Sequence, residues 1–561
     1  MLGSQLLKRS ALVLACSASA VAFADTPSIG ADPVDPSFAA PAGEEGNNSV
    51  FITQEGLENG DFPFHVIRQQ GIQLFSTPFN TYDGLGDGPV NHENLVEPGG
   101  RPSYVQGNPD LLFPMPRRIN GGDAQTCLEC HFIGSNAVIP ARLQVAGIAG
   151  IGGTAFPNVT NIDADLNESV GDTALITGRA INPPFLFGAG GIELAGREMT
   201  ETLHAIRAEA SESPGEWFEL DALGVNFGRI RWVEVPQNEE NLEETELQEE
   251  LRFFHNCNPP GTSLASDAEL YSSRFGEGAP LMPPQMMGMD DGTLLLLDVS
   301  EIEGVGQDLI VRPFGRKGGA MTTRDFDCDA MRFHFGIENQ EIFGDGVDHD
   351  GDGYANEVEP GQLSALEIAN TTNFPPFQER WTRETRKGFK VFKEVGCAYC
   401  HVPELETESS VLTYHFPESA PGLQLFSDET KFYEFDLRRV GFKPARKGGR
   451  WGWGWGRPTG GIVVPAHSDL KVHDMGPRLT ETDQFSTDEE NRAFITARLW
   501  GIADTAPYMH DGRAPTLTEA ILQHDGEAYE QRENFRALSD DEKLALLAYL
   551  RSLRTPTFNP F

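Results

Sequence analysis

The chain has 561 residues, 39% of them hydrophobic, and a formal net charge of −41. That is length for two to four domains and apolar content for real cores, so global disorder is excluded. Such acidity repels phosphates and disfavours nucleic acid as a partner; it reads as solubility or as steering of a basic partner.

At the N-terminus, Lys8 and Arg9 precede the apolar run "ALVLACSASAVAFA", which ends in Ala22-Phe23-Ala24, an A-x-A cleavage pattern. Residues 1–24 therefore predict a signal peptide and export, with the bacterial periplasm as destination. Cys16, in "VLAC", has too short an apolar run before it for a comfortable lipid-attachment box. No later stretch has the length of apolar sequence that a membrane span needs. Residues 25–60, rich in Pro, Ala, Gly and Glu, predict a disordered linker.

"QTCLECHFIG" places Cys127, Cys130 and His131 together, and "EVGCAYCHVPE" repeats the pattern with Cys397, Cys400 and His401. CxxC alone fits a redox pair or half a zinc site. The adjacent histidine changes the chemistry. Two thioether bonds tether a porphyrin, and the next imidazole reaches its iron from the proximal side. Two covalently bound c-type haems are expected, each in its own domain. The predicted fold is mainly α with extensive loops: two cytochrome c-like haem domains with insertions, over 61–340 and 375–561. Cys257 and Cys328 remain, either as a disulfide or as two free buried thiols.

Between the domains, "VDHDGDGYANEVE" sets Asp348, Asp350, Asp352, Asn356 and Glu359 at the side-chain positions of an EF-hand loop. Gly353 takes the sharp turn, and Tyr354 offers a backbone carbonyl. Residues 341–374 are thus read as an EF-hand-like connector that binds Ca²⁺; the alternative is a solvated acidic turn. Further on, "RETRKGFKVFKEVGCAYCH" puts Phe389 and Phe392 on one helical face leading into the second motif. "SDDEKLALLAYLRSL" opens with a Ser539/Glu542 capping box and carries an apolar stripe of Leu546, Leu547, Leu550 and Leu553. In "RRVGFKPARKGGRWGWGWGRPTGG", basic residues and Trp451, Trp453 and Trp455 fit propionate pairing, a docking patch or plain strand packing.

The stretch "RLWGIADTAPYMHDGRAPTLTEAILQHDGEA", together with "INPPFLFGAGGIELAGREMT" and "RINGGDAQTCLECH", resembles the bacterial di-haem cytochrome c peroxidase family. That family includes the methylamine dehydrogenase maturation enzyme, and the resemblance is closest to its di-haem oxidoreductase subgroup. It implies that the haem on His131 is peroxidatic, with an open face for H₂O₂ or O₂. The haem on His401 would be an electron relay with both axial positions filled, reduced by a small donor protein, a cytochrome c or a cupredoxin. The family's distal methionine follows the "HDG" histidine by fourteen residues. Counted from His510, that position is His524, so His401/His524 ligation is expected, with Met475 and Met509 as the other candidates and a plain helix-end histidine as the alternative. Glu193, or else Glu198, matches the acid–base residue above the first iron; either could equally be an ordinary helix glutamate. The family's Trp between the haems is missing, since no Trp lies between His131 and Trp217; Trp381 or direct edge contact is the substitute route. The implied activity is a peroxidase. An oxygenase or side-chain oxidant, and a pure electron carrier, are the rivals.

Overall fold

The computed structural model describes residues 51–77, 127, 131, 184–235, 286–288, 294–331, 337, 339–346, 355–416, 430–447, 457–481 and 487–556. The signal peptide, Cys130, Cys257, Asp348, Asp350, Asp352, Tyr354 and the three alternating tryptophans lie outside the described residues.

The fold is not mainly α. The described residues build a four-stranded sheet, a three-stranded sheet and three two-stranded ones between the helices. The largest has the order β1-β2-β4-β3, from β1 (Phe218–Ala222), β2 (Val225–Val235), β3 (Met286–Gly288) and β4 (Leu294–Ile302), all antiparallel. Its signal is legible in β4, where buried Leu295, Leu297 and Val299 alternate with more exposed neighbours, the period of a half-buried strand. β2 buries Val225 and Phe227, then Ile230 and Trp232. The phase slips where the register shifts between Arg229 and Arg231. Weighting the helices next to the cysteine motifs, and reading the stretch between them as loops, is what hid this sheet.

Further along the chain, β5 (Phe377–Gln378) pairs with β13 (Leu553–Arg554), and β7 (Val411–His415) with β8 (Lys431–Asp436). The three-stranded sheet joins β6 (Leu405–Glu406), β10 (Arg457–Val464) and β9 (Lys443–Lys447). The last pair is β11 (Val472–Asp474) with β12 (Ala493–Ile495).

Residues 51–60, taken as the end of a disordered linker, are folded. Thr53 caps α1 (Gln54–Glu58), and Ile52 and Leu57 enter the core at 2% exposure each. Then come α2 (Phe64–Ser76), α3 (Ala189–Ser211), α4 (Thr323–Ala330) and α5 (Pro360–Thr371). A Cβ on Gly71 of α2 would meet the Ala365 carbonyl oxygen at 2.0 Å, so only glycine lets α2 and α5 approach this closely. Helix α5, inside the stretch read as a connector, is buried along its whole length. One apolar cluster runs from Ile52 through α3 and the large sheet to Leu437, Phe442 and Trp500. Residues of both expected haem domains therefore share a core.

The C-terminal part is helical: α6 (Arg383–Val395), α7 (Leu517–Gln523), α8 (Tyr529–Ala537) and α9 (Asp540–Leu550). The Ser539/Glu542 capping box forms, with Ser539 N donating to Glu542 Oε2 at 2.9 Å. Helices α6 and α9 cross where a Cβ on Gly388 would meet the Ala545 oxygen at 1.9 Å. Val391, Phe392 and Val395 of α6 pack there with Leu546, Leu547, Tyr549 and Leu550. Leu553 belongs to the same core but from β13, one turn past the helix end.

Candidate metal centre

Thr382 caps α6 by accepting from Thr385 N at 3.1 Å. The helix ends at Gly396, whose φ of +97° turns the chain out of the helical path. Cys397–Tyr399 then form a 3₁₀ turn. Such a turn eclipses positions three apart, so Cys397 and Cys400 emerge on one side while Tyr399 is 76% exposed. His401 N closes the turn on Cys397 O at 2.9 Å. The first motif is closed by the same bond, His131 N to Cys127 O at 2.8 Å. Burial pushes the Cys397 thiol up to about 12, so without a metal it is a neutral thiol.

His401 Nδ1 donates to the His467 carbonyl at 3.0 Å. His524, at the C-terminal end of α7, donates from Nδ1 to Ala520 O at 2.9 Å. A carbonyl can only accept, so in both rings the tautomer is fixed and the Nε2 lone pair is left for a metal. Burial first, then His524, pulls His401 down to about 4. Burial also lowers His524, so it stands at the helix end as a neutral ring and not as a cation on the dipole. The ring centres lie 6.2 Å apart at 64°. Two imidazoles bound through Nε2 to one metal at about 2 Å each place their centres roughly 6 Å apart. The spacing would fit one metal held between the two rings.

His467 holds this arrangement. It has φ +49°, a left-handed conformation costly for a side-chain-bearing residue. Its Nδ1 donates to Pro465 O at 3.1 Å and its Nε2 accepts from the Tyr549 hydroxyl at 2.8 Å. Tyr549 in turn stacks on Trp381, with centres 5.9 Å apart at 11°. Trp381 is 38% exposed, so a line of contacts runs from the surface through Tyr549 and His467 to His401.

Cys400 also sits within 4.8 Å of ligand atoms of Asp469 and His473. His473 is already held by Asp469 Oδ2 at 2.9 Å and Glu527 Oε2 at 2.7 Å. Burial opposes its charge, but the bonds from Asp469, Cys400 and Glu527 carry it up to about 12. His473 thus sits between two carboxylates, Asp469 and Glu527, in an ion-pair cluster beside Cys400.

At the first motif, Phe75 meets the His131 ring edge-on at 6.4 Å. Cys127 packs against a buried cluster of Leu74, Phe75, Cys328, Met331, Leu363 and Leu366. Glu193 is fully buried on α3. It accepts from the Arg197 guanidinium, from Thr323 N at 2.8 Å and from the Thr323 hydroxyl, which ties α3 to the start of α4. Glu198 accepts from Glu408 N at 2.7 Å and Ser409 N at 2.8 Å. Burial raises its carboxyl, against these two bonds. Both glutamates thus have their oxygens occupied by structural partners.

Sequence reasoning passed over Asp327. It lies on α4 next to Cys328 and is 9% exposed, and both its oxygens face the Asn370 amide at 3.1 and 2.9 Å. Burial, with Glu193 nearby, pushes it up to about 8. Nothing in its spacing marks it, because the burial comes from α5. Tyr549 was findable as the i+4 neighbour of Ala545 on the packed face of α9; His467 was not, since no pattern announces a left-handed histidine.

Of the calcium loop, Asn356 and Glu359 are described. Asn356 has φ +57° and donates from Nδ2 to Asp345 Oδ1 at 2.8 Å. Glu359 precedes α5, and its N–H donates to Gln362 Oε1 at 2.9 Å.

Residues 460–553 match the family model described as "Di-haem oxidoreductase, putative peroxidase". The match takes in His467, Asp469, His473, His510 and His524. No curated protein matches the chain. Among solved structures, hydrazine synthase of Kuenenia stuttgartiensis is 18% identical, over 36% of this chain and 57% of that one, with a TM-score of 0.20. A MauG-like protein associated with microbial copper homeostasis is 15% identical, over 57% of this chain and 91% of that one, with a TM-score of 0.23. The chain thus spans little more than half of the hydrazine synthase chain, and scores this low leave the fold to be argued from its own residues. Among the described residues, no helix is long and apolar enough to cross a membrane.

Proposed function

We propose that this chain, an oxidoreductase whose residues 460–553 carry the di-haem oxidoreductase domain, is an exported peroxidase that reduces H₂O₂ at the His131 site with electrons relayed through the His401 site. The carrying observation is the His401/His524 pair: two neutral rings 6.2 Å apart, each tied by Nδ1 to a carbonyl. With His401 and His524 both holding its metal, this centre would pass electrons and exclude small oxidants. Haem, when bound, supplies one-electron redox chemistry and, at an open face, cleavage of the O–O bond.

The overall reaction takes two electrons and two protons per H₂O₂ and yields two waters. Cys127 and Cys130 would tether the first haem, Cys397 and Cys400 the second, and His131 and His401 would supply an imidazole to each iron. A proton must be held near the bound peroxide. Glu193 and Glu198 spend their oxygens on Arg197, Thr323, Glu408 and Ser409. Asp327 is a further candidate acid: its oxygens also face a structural partner, the Asn370 amide, but burial pushes it up to about 8, and it adjoins Cys328, which shares the apolar cluster of Cys127. The Trp381–Tyr549–His467 line favours the surface at Trp381 as the place where the relay exchanges electrons. A net charge of −41 would steer a basic donor of cytochrome c or cupredoxin type. The Asp348–Glu359 loop would hold one Ca²⁺ ahead of α5.

The test is steady-state consumption of H₂O₂ by the mature di-haem protein with a reduced one-electron donor. The proposal requires two donor molecules oxidised per peroxide. Oxygen uptake without peroxide turnover would replace it with the oxygenase reading.

A further inference from the structure

Arg498 and Trp500 follow β12, where residues of the two halves of the chain meet. Trp500 is 2% exposed and closes over Gly188, the left-handed residue ahead of α3, where a Cβ would meet the indole at 2.9 Å. Its Nε1–H is buried and reaches no acceptor. Such donors nearly always have a partner.

Arg498 stands beside it, its guanidinium carbon 5.7 Å from the Trp500 ring centre and 5.9 Å from that of Phe314. A guanidinium carries five N–H groups. Arg498 donates one bond, to Pro313 O at 2.9 Å, and among the described residues it forms no ion pair with a carboxylate. In a chain with 84 acidic side chains, a cation left without one is anomalous. Burial alone pulls this guanidinium down to about 10, the mark of a positive charge held without its counterion. The buried, unpartnered Trp500 N–H and the adjoining guanidinium, partly exposed and without a carboxylate among the described residues, together fit an anion.

The chain ties this spot to the second centre. Thr496 O accepts from Ser468 Oγ at 2.8 Å, and Ser468 follows the histidine whose carbonyl holds His401. Leu499, between the two donors, packs on the cluster that takes in Cys397. A c-type haem brings its own anions, two propionate carboxylates, and a guanidinium fork is matched to a carboxylate.

We propose that Arg498 and Trp500 bind a propionate of the haem seated on His401, at the seam between the two halves. This rests on the haem reading of the His401/His524 pair. The guanidinium grips the carboxylate, the indole N–H adds a third bond, and the propionate becomes part of the core that joins the halves. The positive charge beside it offsets the carboxylate and keeps that haem from being driven to lower potential.

The experiment uses the holoprotein and first counts two covalent haems in each variant, so that loss of haem, which would sink the haem reading itself, is told apart from failure of this proposal. Arg498→Leu, Arg498→Lys and Trp500→Phe are compared by resonance Raman of the propionate-bending bands and by spectroelectrochemical titration. Arg498→Leu and Trp500→Phe should each shift the propionate band of the low-spin haem. Arg498→Leu should lower that haem's midpoint potential, and Arg498→Lys should restore part of it. Unmoved bands in a variant with both haems in place would overturn the proposal, as would movement confined to the other haem. So would a spectral response to inorganic phosphate that Arg498→Leu abolishes while the propionate bands stay fixed, because the donors would then serve a free anion.

Discussion

Tyr549 donates its hydroxyl hydrogen to Nε2 of His467 at 2.8 Å. The direction follows from the other nitrogen, since His467 Nδ1 is spent as a donor to the Pro465 carbonyl. Burial pulls His467 down to about 4, so the ring stays neutral and keeps its lone pair for Tyr549. The backbone it steadies carries the carbonyl that orients His401. Tyr549→Phe leaves a buried acceptor without a donor, which costs about 1–3 kcal/mol. The holoprotein should melt at lower temperature and the low-spin haem should shift in potential. Calorimetry and a potentiometric titration check both.

Replacing the second imidazole tests the ligand assignment. His524→Met exchanges a strong donor to ferric iron for a thioether. The midpoint potential of the low-spin haem should rise while its spectrum stays six-coordinate. An unchanged potential would show that His524 is not the ligand.

Asp327 gives the protein a pH signature. Its folded value, pushed to about 8 from an ordinary 3.8, means that the folded state binds a proton the unfolded chain has already released. The stability due to this proton is complete below about pH 4 and is lost as pH rises to about 8, with a slope of up to about 1.4 kcal/mol per pH unit. Asp327→Asn should flatten the fall in unfolding midpoint across that window. It should also slow peroxide turnover by about a hundredfold or more.

Glu193 should behave differently. Removing it leaves Arg197 buried without its closest partner and α4 without its tie. Loss of one member of a buried pair costs about 3–5 kcal/mol. Glu193→Ala should therefore lower the urea midpoint sharply. Where the protein still folds, the pH profile of turnover should keep its shape.

Calcium is tested by removal. Chelation with EGTA should lower the melting temperature of the native protein and leave an Asp350→Asn variant unmoved. Equal melting curves with and without chelator would return the loop to a solvated acidic turn.

The centre was more legible than the fold. The two CxxCH units stand out by their spacing, and the closing bonds at His131 and His401 are alike because the spacing dictates the turn. His524 was reachable from the family loop, and its approach to His401 follows. The large sheet was not seen, although Leu295, Leu297 and Val299 alternate plainly, because strands inside a presumed helical domain were read as insertion. The buried Asp327, the left-handed His467 and Arg498, with no carboxylate among the described residues, owe their character to residues distant in sequence. Spacing carries no trace of such neighbours.

The proposed function needs one centre closed by His401 and His524 and another that stays open on His131. Carbon monoxide added to the fully reduced holoprotein reads this directly, because it binds only iron with a free face. One of the two haems should take up the gas, with the other's spectrum unmoved. Uptake by both haems, or by neither, would contradict it.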